Sequence, residues 1–322
     1  MDNHPLVSIL IPNYNKAPYL RETLDSILAQ TYINWECIIV DDHSTDESYQ
    51  ILERYSQKDF RFKIYKRPIK LPKGGNVCRN FALEKSKGEV IQWFDSDDLM
   101  LETMIENRLS NLILNNLDIV ISYITRRSES GLISIDKIEE VEFASMLSSV
   151  FEVKPLFLPQ CCLISRKYLD ENKIEWNEQI RVLQDVDYEL KLLSFNPKFL
   201  FMKIKDWFWV MHNNGLNLGS KRFEESNLSS IRILFEIFST SKYYSDYFYS
   251  NRSGFFRLVK STNKSYGLVW FLNIALGGYY LKYISLRKLI FQFSLLVIFY
   301  IFNFSVKFKR LVANYSVNQF IK

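Results

Sequence analysis

Three carboxylates stand within four residues at Asp95, Asp97 and Asp98, directly after an apolar run that ends in Trp93 and Phe94. Like charges this close repel one another, so the arrangement implies a partner of opposite sign. One acid is accounted for as the N-cap of a following helix, where a carboxylate meets the positive end of the helix dipole. Three are not. Hard oxygen ligands suit Mg2+ or Mn2+, and Mg2+ is commonly held by one or two carboxylates and completed by substrate phosphates. The stretch therefore points to a divalent cation shared with a diphosphate.

A second polar cluster, "DDHSTD", occupies residues 41–46 at the exit of another apolar run. A side-chain-stabilised turn and a helix cap account for Ser44 or Asp46. Asp41 and Asp42 are better placed to accept hydrogen bonds from a base N–H or a ribose hydroxyl. No G-x-G-x-x-G and no G-x-x-x-x-G-K-[ST] follows the first apolar run. That disfavours dinucleotide-binding and P-loop chemistry. Two further acids, Asp185 and Asp187, stand before or within a helical pattern in "LQDVDYEL", and His212 follows an apolar stretch in "WVMHNNGLN". An acid at a helix start also serves as an N-cap, and a lone histidine beside a strand is commonly structural.

The elements that must position these groups alternate. Residues 6–12, 35–40, 61–65, 89–94 and 118–122 read as strands. Residues 19–30, 44–57, 75–88 and 99–115 carry helical spacing. Ser44 and Glu47 stand at capping-box spacing, and Gly88 reads as a helix stop. Alternation of this kind makes βαβ units and a mostly parallel sheet, whose ligands bind beyond the carboxyl ends of the strands. The polar clusters fall at those ends. Further on, residues 161–171 read as strand then helix, 182–194 as helix, and 199–212 as strands, while 123–160 shows no clear pattern.

Whole-chain properties set outer bounds. The 322 residues suffice for one large or two modest domains, and a net charge of +5 is too mild to argue for a nucleic-acid partner. Cys37, Cys78, Cys161 and Cys162 form no C-x-x-C pair and read as buried free thiols, suited to a reducing compartment. The amino terminus enters a strand directly, without the pattern of a signal peptide. Beyond about residue 220 the chain turns aromatic, basic and helical. Residues 289–306 are almost wholly apolar and are flanked by Arg287, Lys288, Lys307, Lys309 and Arg310. As a helix that stretch extends about 27 Å, slightly under a bilayer core. An interfacial helix is the preferred reading, with a membrane span and an internal or dimer helix as the other two.

The ordered combination "VSILIPNYN", "WECIIVDDHSTDES", "CRNFAL" and "KGEVIQWFDSDD" resembles the inverting family 2 glycosyltransferases of GT-A fold, of the non-processive type because a Q-x-x-R-W motif is absent. The similarity is strong over residues 5–120 and extends weakly to about 215. It implies a GT-A domain over 1–220, with a nucleotide-binding half near 5–122 and an acceptor half near 123–220, followed by a helical extension over 221–322. It implies that Pro12, Tyr14, Asp42 and Arg79 surround the nucleotide, and that Asp95 and Asp97, the D-x-D motif, hold a Mn2+ or Mg2+ ion and the diphosphate. Asp185 takes the place of the acid that deprotonates the acceptor, with Gln184 where an acid usually precedes it and Asp187 as a competitor. His212 matches a histidine near the metal, although Val210 stands where an arginine is usual. The expected partners are a nucleotide-sugar donor, with UDP favoured by family habit, and a glycan or lipid-linked glycan acceptor. Membrane contact is expected through residues 285–310, at the cytoplasmic face. A sugar nucleotidyltransferase would carry a Gly-rich, Arg-Lys signature after the first strand, which "IPNYNKAP" lacks. A non-catalytic carbohydrate-binding relative would need neither the D-x-D nor the separate acid.

Overall fold

Val7–Asn13 forms β1, a strand whose first five residues are all buried. A nearly continuous apolar run is what a parallel strand covered on both faces requires. The computed structural model describes residues 4–128, 131, 133–135, 157–180 and 184–212. In chain order the described elements are β1, α1 (Ala17–Leu28), β2 (Trp35–Asp41), α2 (Ser48–Lys58), β3 (Phe62–Lys66), α3 (Gly75–Lys85), β4 (Val90–Trp93), β5 (Leu99–Met100) and α4 (Met104–Leu114). They continue with β6 (Ile119–Ile121), β7 (Thr125–Ser128), β8 (Ile133–Ile135), β9 (Cys162–Ser165), α5 (Arg166–Asn172), α6 (Gln184–Ser194), β10 (Phe199–Phe201) and β11 (Trp207–Met211).

Seven strands form one sheet in the order β10-β6-β9-β4-β1-β2-β3. Its pairs are parallel except those made by β9, which runs antiparallel between β4 and β6. A smaller sheet has the order β5-β11-β7-β8. Strands β2 and β3 lie on one side of β1 and β4 on the other, so the strand order reverses between β1 and β4. That reversal is where open α/β sheets place their ligands. Leu10 is the last residue of β1 that β4 pairs, and Pro12 lies beyond that ladder, where its missing N–H costs no bond to β4. Helix α1 buries Leu20, Thr23, Leu24 and Ile27, the stripe of a one-faced helix.

The structure departs from the sequence reading at three boundaries. Leu99 and Met100 do not start a helix; they pair with Phe208 and Trp207, and α4 begins at Met104. Pairing with a distant strand outweighs local helical spacing here. Ser44 is not the cap of α2, which starts at Ser48. Its hydroxyl bonds Asp41 instead, and its N–H donates to the same carboxylate at 2.9 Å. Gly88 lies beyond the end of α3 and serves a close approach. A Cβ there would stand 2.5 Å from Ser8 Oγ and 2.6 Å from the Leu6 carbonyl oxygen. All four cysteines are free and buried, as expected. The expected extension over 221–322, its apolar stretch 289–306 and the contact through 285–310 lie outside the described residues. No helix among the described residues is long and apolar enough to cross a membrane.

A charged hub sits inside the core. Arg108 on α4 is fully buried, and its guanidinium donates to Asp206 at 2.6 and 2.8 Å, to Gln92 Oε1 and the Gln160 carbonyl at 2.9 Å, and to Ser122 Oγ at 2.6 Å. Removing one partner of such a pair strands the other charge in a medium that cannot solvate it. Arg108→Met is expected to destabilise the protein by about 3–5 kcal/mol. The double replacement Arg108→Met with Asp206→Leu is expected to cost less than Arg108→Met alone, as read from urea unfolding midpoints.

Glu189 on α6 is the opposite case: fully buried, with neither carboxylate oxygen bonded among the described residues. Burial, reinforced by Asp185, pushes its pKa well above the usual range, so the folded state keeps it neutral. The unfolded chain ionises near pH 4.3. Stability is therefore fully present below that pH and is lost as pH rises toward the folded-state value. Glu189→Met is expected to flatten the decline by up to about 1.4 kcal/mol per pH unit, seen as a widening gap in unfolding free energy above pH 5.

Candidate active site

The carboxyl ends of β1, β2 and β4 bring the polar clusters together, and their side chains are not equivalent. Asp41 is structural. Buried, it accepts from Asn13 Nδ2 at 2.8 Å and from Ser44, tying the β1 and β2 exits together. Asp42 is also buried, but its Oδ1 is held by Arg67 Nε and its Oδ2 accepts no hydrogen bond among the described residues. Arg67 also donates to the carbonyls of Pro68 and Leu71, so it braces the loop after β3. Tyr14 is exposed, with Lys73 Nζ 3.8 Å from its ring centroid. Half-buried Pro12 lies just before it.

The three acids after β4 separate into three environments. Asp95 accepts from Arg79 Nη2 at 2.9 Å on one oxygen and from Gln160 Nε2 at 2.6 Å on the other. Asp97 is ion-paired with Lys16, and its Oδ2 also stands 3.4 Å from His212 Nε2. Asp98 is buried and accepts from the Val210 N–H at 3.1 Å. It does not cap a helix, since β5 follows it. Burial first, then Asp97 and Asp95, push the Asp98 pKa well above the usual carboxylate range, which favours its protonated form. Burial thus sets Asp98 apart from the other two acids of the cluster.

Asp97 and His212 are the pair to test as metal ligands. Two donors 3.4 Å apart can share a cation placed about 2.0–2.2 Å from each. His212 is buried and stacked on Tyr19 of α1 at 3.6 Å between ring centroids, which holds it in place. The Lys16 ammonium on the same carboxylate shows that positive charge is accommodated there. Among the described residues no group of three or more acids, histidines or cysteines could enclose a metal. The donor set therefore fits a Mg2+-like or Mn2+-like ion completed by phosphate and water, and not a closed protein cage.

Arg79 joins this cluster to α6. Its Nη1 donates to Gln184 Oε1 at 3.3 Å while Nη2 holds Asp95, and its guanidinium carbon lies 4.4 Å from the Trp176 ring centroid. Trp176 stacks on Tyr188 at 4.1 Å and 6°, and Tyr188 accepts from Trp93 Nε1 at 2.7 Å. This aromatic layer connects β4 to α6 and sets the helix that carries Asp185. Asp185 is half-buried and accepts no hydrogen bond among the described residues. Desolvation, moderated by Arg79 and aided by Asp95, lifts its pKa to about 6. Asp187 is about 200° further round the helix. It is buried and paired with Lys191 at 2.9 Å. The two acids differ in their surroundings: Asp185 feels the charge of Arg79, and Asp187 is paired with Lys191.

Four contributors were missed in the sequence. Lys16, Arg67, Gln160 and Trp176 each touch a site residue. Lys16 borders the polar cluster after β1, so proximity was an available signal, whereas Arg67 reaches Asp42 only because β3 pairs with β2. Gln160 and Trp176 reach the site only through the antiparallel return of β9 and the turn after α5.

Comparison with known proteins follows the same outline. The Staphylococcus aureus protein TarS, residues 1–349 in complex with UDP-GlcNAc, superposes with a TM-score of 0.69 at 17% identity, covering 85% of this chain and 81% of that one. The fold is GT-A. The family described as Glycosyl transferase family 2 matches residues 8–172, just over half of the chain, which belongs to that family. A Bacillus subtilis putative teichuronic acid biosynthesis glycosyltransferase, TuaG, is 39% identical over 105 residues, 33% of this chain and 41% of the relative. The Escherichia coli UDP-Glc:alpha-D-GlcNAc-diphosphoundecaprenol beta-1,3-glucosyltransferase WfgD is 36% identical over 118 residues, 36% of this chain and 44% of the relative. The chain thus spans less than half the length of these two relatives.

A carboxylate with a pKa of about 6 predicts the acid limb of a pH profile wherever its ionised form is required. If Asp185 accepts the proton in a transfer reaction, kcat/KM is expected to fall about tenfold per unit below pH 6. Arg79→Met removes the charge that favours the ionised form and is expected to move that limb to higher pH. The check is a pH series of kcat/KM on both proteins.

Proposed function

We propose that this chain is a metal-dependent inverting glycosyltransferase. It moves a sugar from a nucleotide-sugar donor, a UDP-sugar, to a hydroxyl of a glycan or lipid-linked glycan acceptor in the synthesis of a cell-surface polysaccharide. The observation that carries the reading is Arg79, whose single guanidinium touches both Asp95 of the acidic cluster and Gln184 beside Asp185. Donor-holding and proton-accepting groups are thereby brought to one cleft. The donor and acceptor classes rest on the relatives, one named for UDP-Glc and a diphosphoundecaprenol-linked acceptor and another for teichuronic acid synthesis. Peripheral contact of residues 285–310 with the cytoplasmic face of the membrane would suit a lipid-linked acceptor.

In this mechanism the Tyr14 ring stacks on the base and Asp42 Oδ2 accepts from its N–H. Arg79 donates to the donor, and Asp95 accepts from a ribose hydroxyl. Asp97, Asp95 and His212 would hold a divalent cation, which when bound would offset the negative charge that grows on the departing diphosphate. The acceptor hydroxyl attacks the anomeric carbon from the face opposite that leaving group. Asp185 takes the hydroxyl proton as the new glycosidic bond forms and the bond to the diphosphate breaks. Attack opposite to departure inverts the anomeric configuration.

Two substitutions separate the roles. Asp185→Asn is expected to abolish transfer, by at least about a thousandfold in kcat, while UDP binding in the presence of Mn2+ stays within about twofold of wild type. Asp97→Ala is expected to lose the cation-dependent part of UDP binding. Titration calorimetry with UDP and Mn2+, paired with a product assay, reads both. Near-normal turnover in Asp185→Asn would remove that residue from the base role.

A further inference from the structure

Gln160 is a neutral group that touches the acidic cluster through its side chain, and its surroundings are unusual. The residue is buried, at 6% exposure. Its Nε2 donates to Asp95 Oδ2 at 2.6 Å, while its Oε1 has no hydrogen-bond partner among the described residues. The amide orientation follows from the carboxylate, since Oε1 turned toward Asp95 would set two acceptors against each other. The backbone beneath is held hard. The Gln160 carbonyl accepts from both Arg108 Nη1 and Gln92 Nε2 at 2.9 Å, within a tight turn that Pro159 opens.

A buried side chain with an orphaned acceptor is a poor choice for stability alone. An apolar residue of similar length would fill the same space without stranding an oxygen. The gain from the amide must therefore lie in what it does to Asp95. A cation at this position would cancel the charge of the carboxylate. A neutral donor orients it and leaves its charge in place for a ligand. With Arg79 on one oxygen and Gln160 on the other, the Asp95 carboxylate plane is set, and each oxygen keeps a second lone-pair direction.

We propose that Gln160 is a positioning residue that aims Asp95 at the hydroxyls of the donor's ribose. The proposal rests on the reading of Asp95 and Asp97 as the donor-holding acids. It separates Gln160 from a residue kept for packing, because the two roles move stability and binding in opposite senses.

The test uses the full chain and UDP with Mn2+ as the probe. Gln160→Met keeps the length and removes the donor. It is expected to weaken UDP binding by about ten- to a hundredfold while the melting temperature is unchanged or raised. Gln160→Glu sets a second carboxylate against Asp95 and is expected to weaken binding further. Asp97→Ala serves as the reference for the underlying reading. Unchanged UDP affinity in Gln160→Met, alongside a loss in Asp97→Ala, would overturn the proposal alone. A fall in melting temperature that parallels the loss of binding in Gln160→Met would also overturn it, by making the residue structural. Full UDP binding in Asp97→Ala would sink the donor-site reading, and the positioning role with it.

Discussion

The buried Arg108–Asp206 pair is the constraint on which the site depends. Two charges removed from water are stable together only if every donor and acceptor is satisfied. Arg108 meets that condition by drawing in Gln92 of β4, Ser122 after β6, the Gln160 carbonyl and Asp206 ahead of β11. None of these groups contacts a substrate in the proposed mechanism. Each leads to one that does. From Gln160 the contact passes to Asp95, and from Asp206 the chain enters β11, whose Val210 N–H holds Asp98 and whose end presents His212 to Asp97. The acidic loop after β4 is thus held from beneath by a network that satisfies itself first.

That support explains how four acids near one another occupy different environments. Asp98 is buried and its pKa is pushed well up, Asp95 is bracketed by a cation and an amide, and Asp97 faces Lys16 and His212. Asp185 lies across Arg79 and is lifted to about 6 without being neutralised. An isolated row of acids at a strand end would repel. Distributed over these environments, the same residues are held apart, one buried, two ion-paired and one desolvated beside Arg79.

Much of this was legible in the chain, and what was not has a physical cause. The parallel strands of the first half announce themselves because burial on both faces demands unbroken apolar runs, as in "VSILI" and "CIIV". The acidic clusters at their ends follow from the same pattern. The roles within a cluster do not. Nothing in "DSDD" distinguishes the buried Asp98 from its neighbours, because its partner is the Val210 N–H of β11, more than a hundred residues later. Helical spacing after Asp98 misled for the same reason, since Leu99 and Met100 are claimed by Trp207 and Phe208. Gln160 carries no motif at all. Its part depends on an antiparallel strand inserted between two parallel ones, a topology that local periodicity does not encode.

The substitution of an amide for the usual acid at Gln184 bears on the same balance. Its Oε1 accepts from Arg79 as a carboxylate would, so the geometry of the bridge is kept. The charge is not. An acid at this position would divide the Arg79 guanidinium between two carboxylates and add a negative charge next to Asp185, raising its pKa further. With a neutral amide, the positive charge is left to Asp95 and to the base itself. Desolvation has already lifted Asp185 close to the working range of a general base. Gln184 thus belongs to the same scheme as Gln160: both are neutral amides that hold charged partners in place without changing the charge the cleft presents.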